Sequence, residues 1–216
     1  AIGQAAADAL TTGACNIAIG QAALGASQAG TYNIAMGKLA LGAGNVSGCN
    51  NIAIGQLALT AATSNIDNIA IGRSALAVSA DDGDLNIAIG QAALGAADVS
   101  GFDNIALGTT SMDALTTGAC NIALGINALG AATVGVRNIA IGELAMSGVT
   151  TGQADSNIAI GVSALVGAAG TTGDDNIAIG RASMDALTTG SKNVAIGCNA
   201  YGAATTGGNN VAIGLS

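Results

Sequence analysis

The chain has 216 residues, half of them hydrophobic by type, and it carries a net charge of −8 with only 8% charged residues. It contains no His, and Asn and Gly interrupt its apolar stretches too often for a membrane-spanning helix of about 20 residues. We therefore expect no enzymatic activity, no cofactor, no insertion of this segment into a membrane and, because the basic residues are scattered, no nucleic-acid partner. The basic residues are Lys38, Arg73, Arg137, Arg181 and Lys192.

A short repeat runs through the whole sequence. The string Asn, then Ile or Val, then Ala, then Ile, Leu or Met, then Gly occurs twelve times, and Ala1-Ile2-Gly3 matches the end of a further copy. Successive closing glycines lie 17 to 19 residues apart. A repeat of this length forms one small supersecondary unit, which buries its apolar side chains against its neighbours. We therefore expect residues 1–216 to form one continuous repeat domain, an excerpt of a longer repetitive chain.

Each repeat begins with a predicted strand. In the unit that starts at Asn16, Ile17 and Ile19 are two residues apart and share one strand face, whereas Ala18 lies on the other. A second aliphatic position follows four residues after the closing glycine, as at Leu24. We expect the two Ile positions and this Leu position to fill a narrow core. We expect the Ala column to face outward and to pack against neighbouring chains.

The closing glycine marks a predicted corner, where the backbone has a positive φ angle or approaches a neighbour closely. A helix is a poor alternative, because Gly or Asn interrupts every stretch that is long enough for one. The sequence predicts an all-β fold: a parallel β-solenoid, or β-roll, with one coil per 17–19 residue repeat and about 12 coils. The corner glycines are Gly20, Gly37, Gly55, Gly72, Gly90, Gly108, Gly125, Gly142, Gly161, Gly180, Gly197 and Gly214.

The Asn that opens each repeat stacks on its counterparts in such a fold, about 4.8 Å from the next. An amide side chain both donates and accepts hydrogen bonds, so the column is able to form a ladder and to satisfy backbone groups at the turns. We expect a structural role for it rather than ligand binding. The ladder residues are Asn16, Asn33, Asn51, Asn68, Asn86, Asn104, Asn121, Asn138, Asn157, Asn176, Asn193 and Asn210.

The variable part of each repeat, before the next Asn, is rich in Thr, Gly and Asp and is predicted to form surface turns. Two of these turns carry acidic clusters, whose oxygens are the ligands that Ca²⁺ prefers. No calcium-binding nonapeptide recurs, so we expect solvated turns and no metal site. The clustered residues are Asp81, Asp82, Asp84, Asp174 and Asp175.

Four cysteines lie far apart and follow no metal-ligand spacing. Two of them, Cys15 and Cys120, directly precede a ladder Asn, at a position that varies between repeats. We expect the cysteines to serve as small packed side chains at variable positions of the repeat, with intermolecular disulfides as the alternative. The other two are Cys49 and Cys198.

The string Asn-Ile-Ala-Ile-Gly-x-x-Ala-Leu resembles the head repeats of trimeric autotransporter adhesins. With a preceding Thr-Thr-Gly, as at 116–118 and 188–190, it is also similar to repeats of phage tail fibres and large viral surface proteins. The resemblance covers essentially the whole chain. It implies a left-handed parallel β-roll, with three chains to a head, although the coils here are longer than those of adhesin heads.

These patterns favour a non-enzymatic structural protein: an extracellular fibre, stalk or adhesin head, on a cell surface or a virion appendage. A thin core buries little area, so we expect self-association as a trimer or a head-to-tail filament, and a surface receptor of unknown identity could be a further partner. One alternative is an ice-binding solenoid, because Thr-Thr-Gly recurs in the turns. Another is an enzyme acting on polysaccharide, which would need a groove with paired carboxylates.

Overall fold

The computed structural model describes residues 1–42, 44, 46–79, 83–149, 154–167 and 173–215. Twelve parallel strands of three residues form one sheet, in which neighbours in sequence are neighbours in space. The described residues contain no α-helix. The predicted parallel β-solenoid is therefore confirmed. The strands are β1 (Ile17–Ile19), β2 (Ile34–Met36), β3 (Ile52–Ile54), β4 (Ile69–Ile71), β5 (Ile87–Ile89), β6 (Ile105–Leu107), β7 (Ile122–Leu124), β8 (Ile139–Ile141), β9 (Ile158–Ile160), β10 (Ile177–Ile179), β11 (Val194–Ile196) and β12 (Val211–Ile213).

Equivalent residues of successive repeats pair in register. Ala106 of β6, for example, lies between Ala88 of β5 and Ala123 of β7. The same register holds at all eleven steps from β1 to β12. Each of the three strand positions therefore forms a column of identical or similar side chains along the axis.

The strand side chains point in the opposite direction to our expectation. The strand Ala is buried, with an exposed fraction of 2% at Ala18 and 0% at Ala35, whereas Ile17 is 48% exposed and Ile54 is 36% exposed. The predictions that both Ile positions fill the core and that the Ala column faces neighbouring chains were wrong. The interior is so narrow that the methyl group of Ala fits close packing there, and the branched Ile side chains remain outside.

The core consists of Ala from the strand, Ala three residues after the corner glycine, and the aliphatic residue that follows it. Two 17-residue coils add a Leu to this core seven residues after the corner glycine, at Leu115 and Leu187. Two 18-residue coils add a Val nine residues after it, at Val46 and Val99. The prediction that the Leu column belongs to the core is confirmed. Its buried members include Leu24, Leu41, Leu59, Leu76, Leu94, Met112, Leu129, Met146, Leu165 and Met184.

Three non-glycine positions of the coil have a left-handed backbone, as at Cys15, Ala22 and Leu24, with φ of 61°, 54° and 51°. Each such residue costs roughly 1 kcal/mol. Hydrogen bonds between coils hold them in place: Ala22 N–H donates to Gln4 O at 2.9 Å, and Leu24 N–H donates to Ala40 O at 3.0 Å. The Ala-rich and Leu-rich segments therefore form tight turns rather than helices.

Candidate interaction surface

The twelve ladder asparagines form one continuous column. The backbone N–H of each member from Asn33 onward donates to the Oδ1 of the preceding member, at 2.8 to 3.0 Å. The side-chain Nδ2 donates to a turn carbonyl, for example from Asn16 to Gly30 O at 2.6 Å. From Asn33 to Asn193 the ladder side chains are buried.

Asn104 shows what this column does chemically. Its Nδ2 donates to Gly118 O at 2.9 Å and to Asn86 Oδ1 at 3.0 Å, while its Oδ1 accepts from Asn121 N–H at 3.0 Å and from Asn121 Nδ2 at 3.1 Å. Both ends of the amide are therefore occupied by the fold itself. The ladder satisfies buried backbone groups of two coils, and it offers no free polar atom to a ligand at this position.

The corner glycines all have positive φ angles, from 131° to 142° among the twelve. They also stack closely: a Cβ atom added to Gly20 would lie 2.6 Å from Gly37 O. A side chain at a stacked corner would therefore strain the backbone and clash with the next coil. The glycine column therefore forms a backbone corner of the solenoid.

The cysteines lie in three different columns of the coil. Cys15 and Cys120 are exposed, while Cys49 and Cys198 are half-buried, and all four are free thiols. Arg181 Nη2 donates to Cys198 Sγ at 3.1 Å. The structure does not bring these cysteines together into a common site.

The acidic turns use their carboxylates to bind the preceding coil. Asp84 Oδ1 accepts from Ile66 N–H at 2.7 Å, and Asp174 Oδ1 accepts from Asp155 N–H at 2.9 Å. Asp175 is exposed, and Asp81 and Asp82 lie outside the described residues. Among the residues that the structure describes, no three His, Cys, Asp or Glu side chains form a group suited to a metal ion.

The first Thr of two Thr-Thr-Gly turns binds a neighbouring coil through its hydroxyl group. Thr116 Oγ1 donates to Thr133 O at 2.9 Å, and Thr188 Oγ1 donates to Thr205 O at 2.7 Å. Their donors are thereby directed along the axis instead of outward. These two hydroxyls are therefore not part of a flat outward Thr array of the kind that the ice-binding alternative requires.

Sequence reasoning missed a buried contact at Asp113, which lies between Gly95 and Gly130 in its column. Burial raises the pKa of the Asp113 carboxyl, and hydrogen bonds from the backbone N–H groups of Ala96 and Gly95 oppose that rise. The Oδ1 atom is buried without a hydrogen-bond partner. The surrounding string Met-Asp-Ala-Leu-Thr-Thr-Gly also occurs at residues 184–190, so the local sequence does not single out Asp113.

We expect Asp113→Asn to stabilise the protein at neutral pH. A raised pKa means that the folded state binds the proton more tightly than the unfolded state, so the free energy of unfolding falls as pH rises through the Asp113 pKa. The Asn side chain keeps the acceptor for Gly95 and Ala96 but carries no charge. Urea denaturation should show a gain at neutral pH that vanishes at acidic pH, with Asp103→Asn, at an exposed position, as the control. A destabilised Asp113→Asn at neutral pH would contradict this.

Two aliphatic columns run along the outer side of the sheet, and we call them the isoleucine face. It comprises the first and third residues of every strand, from Ile17 and Ile19 to Val211 and Ile213. The members with the most accessible side chains, each at least 36% exposed, are Ile17, Met36, Ile54, Ile89, Ile141, Ile160, Ile196, Val211 and Ile213.

The isoleucine face is large for a chain of this size. Twelve strands spaced by about 4.8 Å give a length of about 55 Å, and three extended residues give a width of about 10 Å. The resulting area of about 550 Å² lies at the upper end of what monomeric proteins expose as one apolar patch. Ile126 and Val162, which are 56% and 46% exposed, widen it near β7 and β9.

No protein-family model, curated protein or solved structure matches this chain. Among the described residues, none forms a helix with the length and apolarity needed to cross a membrane.

Proposed function

We propose that this chain is a non-enzymatic structural protein, a stiff rod that associates with copies of itself to form part of an extracellular fibre, stalk or adhesin head on a cell surface or virion. The proposal includes a trimer or a filament as the assembled form. The observation that carries it is the isoleucine face, an apolar strip that follows all twelve strands.

Two further observations support a structural role. The periodic polar residues, Asn and Thr, form hydrogen bonds between coils, and the sequence contains no His. The likeness to adhesin-head and tail-fibre repeats, carried by the Asn-Ile-Ala-Ile-Gly string, points to the same class of protein. Stacked parallel strands give stiffness because each coil contacts its two neighbours along its whole length.

We expect the double variant Ile105→Lys/Ile122→Lys to abolish self-association and to leave the fold intact. Both positions lie in the centre of the isoleucine face and are already partly exposed, so the Lys stems lie along the surface with the ammonium groups in water. Sedimentation velocity at micromolar concentration should show an oligomer for the wild type and a monomer for the variant.

The matched control is Gln28→Lys/Thr117→Lys, which adds the same charge at exposed turn positions away from the strands. It should sediment like the wild type. A wild-type chain that remains monomeric at these concentrations while its far-ultraviolet circular dichroism is that of a β-protein would refute the proposal.

A further inference from the structure

The basic residues are confined to the two borders of the isoleucine face. We call the residue before each ladder Asn the preceding flank and the residue after each corner glycine the following flank. All five Lys and Arg residues lie in these flanks, together with Asp67, Asp103, Glu143 and Asp175, and all nine are exposed. The other charged residues among those described are seven carboxylates, at Asp8, Asp84, Asp98, Asp113, Asp155, Asp174 and Asp185.

This distribution of charged and apolar residues is typical of a protein–protein interface. The centre is apolar, the rim is charged with nearly balanced signs, and the rest of the described surface is acidic. A stable interface buries at least about 1,000 Å² in total. The isoleucine face together with its flanks is wide enough to exceed that area against a second copy. An acidic partner surface would not fit, because the rim itself carries carboxylates.

The charges of the two flanks are matched coil by coil. Three coils carry a charge on both flanks, and in all three the signs are opposite. In each case two outward aliphatic side chains separate the partners within one chain, as Ile69 and Ile71 do in β4. The pairs are Asp67 with Arg73, Arg137 with Glu143, and Asp175 with Arg181.

We infer that a second copy of this chain covers the isoleucine face, parallel to the first and in register with it. A rotation axis parallel to the rod places the preceding flank of one copy beside the following flank of the next, at the same coil. Each of the three pairs is then formed between chains. A two-fold axis across the rod would instead place each flank beside its own kind. The inference rests on the proposed self-association and adds its orientation and register.

The register follows from the neighbours of each charge along the columns. A shift by one coil would place Arg137 against Ile126 or Val162, and Asp67 against Gln56 or Gln91. All three pairs would be lost together. Exposed ion pairs contribute little affinity, but they discriminate between alternative arrangements, so the aliphatic columns supply the attraction and the flanks select the arrangement.

Charge reversal at one coil tests this arrangement. We expect Arg137→Glu and Glu143→Arg each to weaken association by about tenfold, because each places like charges side by side. The combined variant restores the pair and should associate like the wild type. In a background with all four cysteines replaced by Ser, Arg137→Cys/Glu143→Cys should form a disulfide between chains on oxidation, and Arg137→Cys alone should not.

The outcomes separate this inference from the proposed function. If the chain associates but the combined charge variant is as weak as the single ones, or if Arg137→Cys alone cross-links efficiently, the parallel in-register arrangement is wrong and the self-association stands. If the wild type is monomeric, the parallel in-register arrangement and the proposed self-association are both wrong. Rescue together with cross-linking of the double cysteine variant supports the inference for a dimer and a trimer alike.

Discussion

Replacement of Asn104 by Ala should destabilise the protein by about 3–5 kcal/mol. The substitution removes the acceptor of Asn121 N–H and the donor to Gly118 O, two backbone groups at buried residues. Each buried group without a partner costs about 1–3 kcal/mol, and the lost contact with Asn86 adds to this. Urea denaturation followed by far-ultraviolet circular dichroism measures the change.

Asn50→Gly is the control for this substitution. Asn50 is exposed, has a φ angle of 61° that suits glycine, and directly precedes a ladder Asn. We expect its free energy of unfolding to stay within about 0.5 kcal/mol of the wild type. An Asn104→Ala variant as stable as Asn50→Gly would show that the ladder does not satisfy buried backbone groups.

Gly125→Ala is the second substitution with a large expected effect, again about 3–5 kcal/mol. Gly125 has a φ angle of 140°, which L residues rarely adopt, and the new Cβ would lie 2.5 Å from Gly142 O and 2.6 Å from Gly142 C. The next coil does not move away easily, because Gly142 N–H donates to Leu124 O at 2.8 Å. Thermal and urea denaturation should both show the loss.

Gly130→Ala is the matched control in the same coil. Gly130 has no positive φ angle, and the atom nearest to its added Cβ is Asn127 Oδ1, the end of a side chain that is able to rotate. We expect a loss below about 1 kcal/mol. Equal losses at Gly125 and Gly130 would contradict the assignment of the corner column.

The fold class was predictable because its signals repeat with one period. The Asn, Ala and Gly of each repeat stand at fixed offsets, and a strand bracketed by Asn and Gly cannot grow beyond about three residues. The left-handed positions were not predictable, because residues such as Leu24 and Tyr32 rarely adopt a positive φ. Hydrogen bonds between coils impose that conformation, and no local sequence pattern encodes them.

Side-chain hydrophobicity alone predicts that Ile faces inward, but side-chain volume decides the orientation of these strands. The correct signal was present: Asn16 and Ala18 are two residues apart and therefore share a strand face. An inward ladder thus requires an inward Ala and an outward Ile17. The opposite charges of Asp67 and Arg73 border the face that Ile occupies. Their arrangement as the rim of an apolar surface could be recognised only after this orientation was known.

The stacking of coils in register is tested most directly by a distance between Cys15 and Cys120. Both thiols are exposed and lie in the same column, six ladder steps apart. Cys49 and Cys198 are replaced by Ser, both remaining thiols are spin-labelled, and unlabelled chain is added in excess so that only distances within one chain contribute. At about 4.8 Å per step the account predicts one narrow distribution near 30 Å. A broad distribution, or a mean beyond about 40 Å, would contradict it.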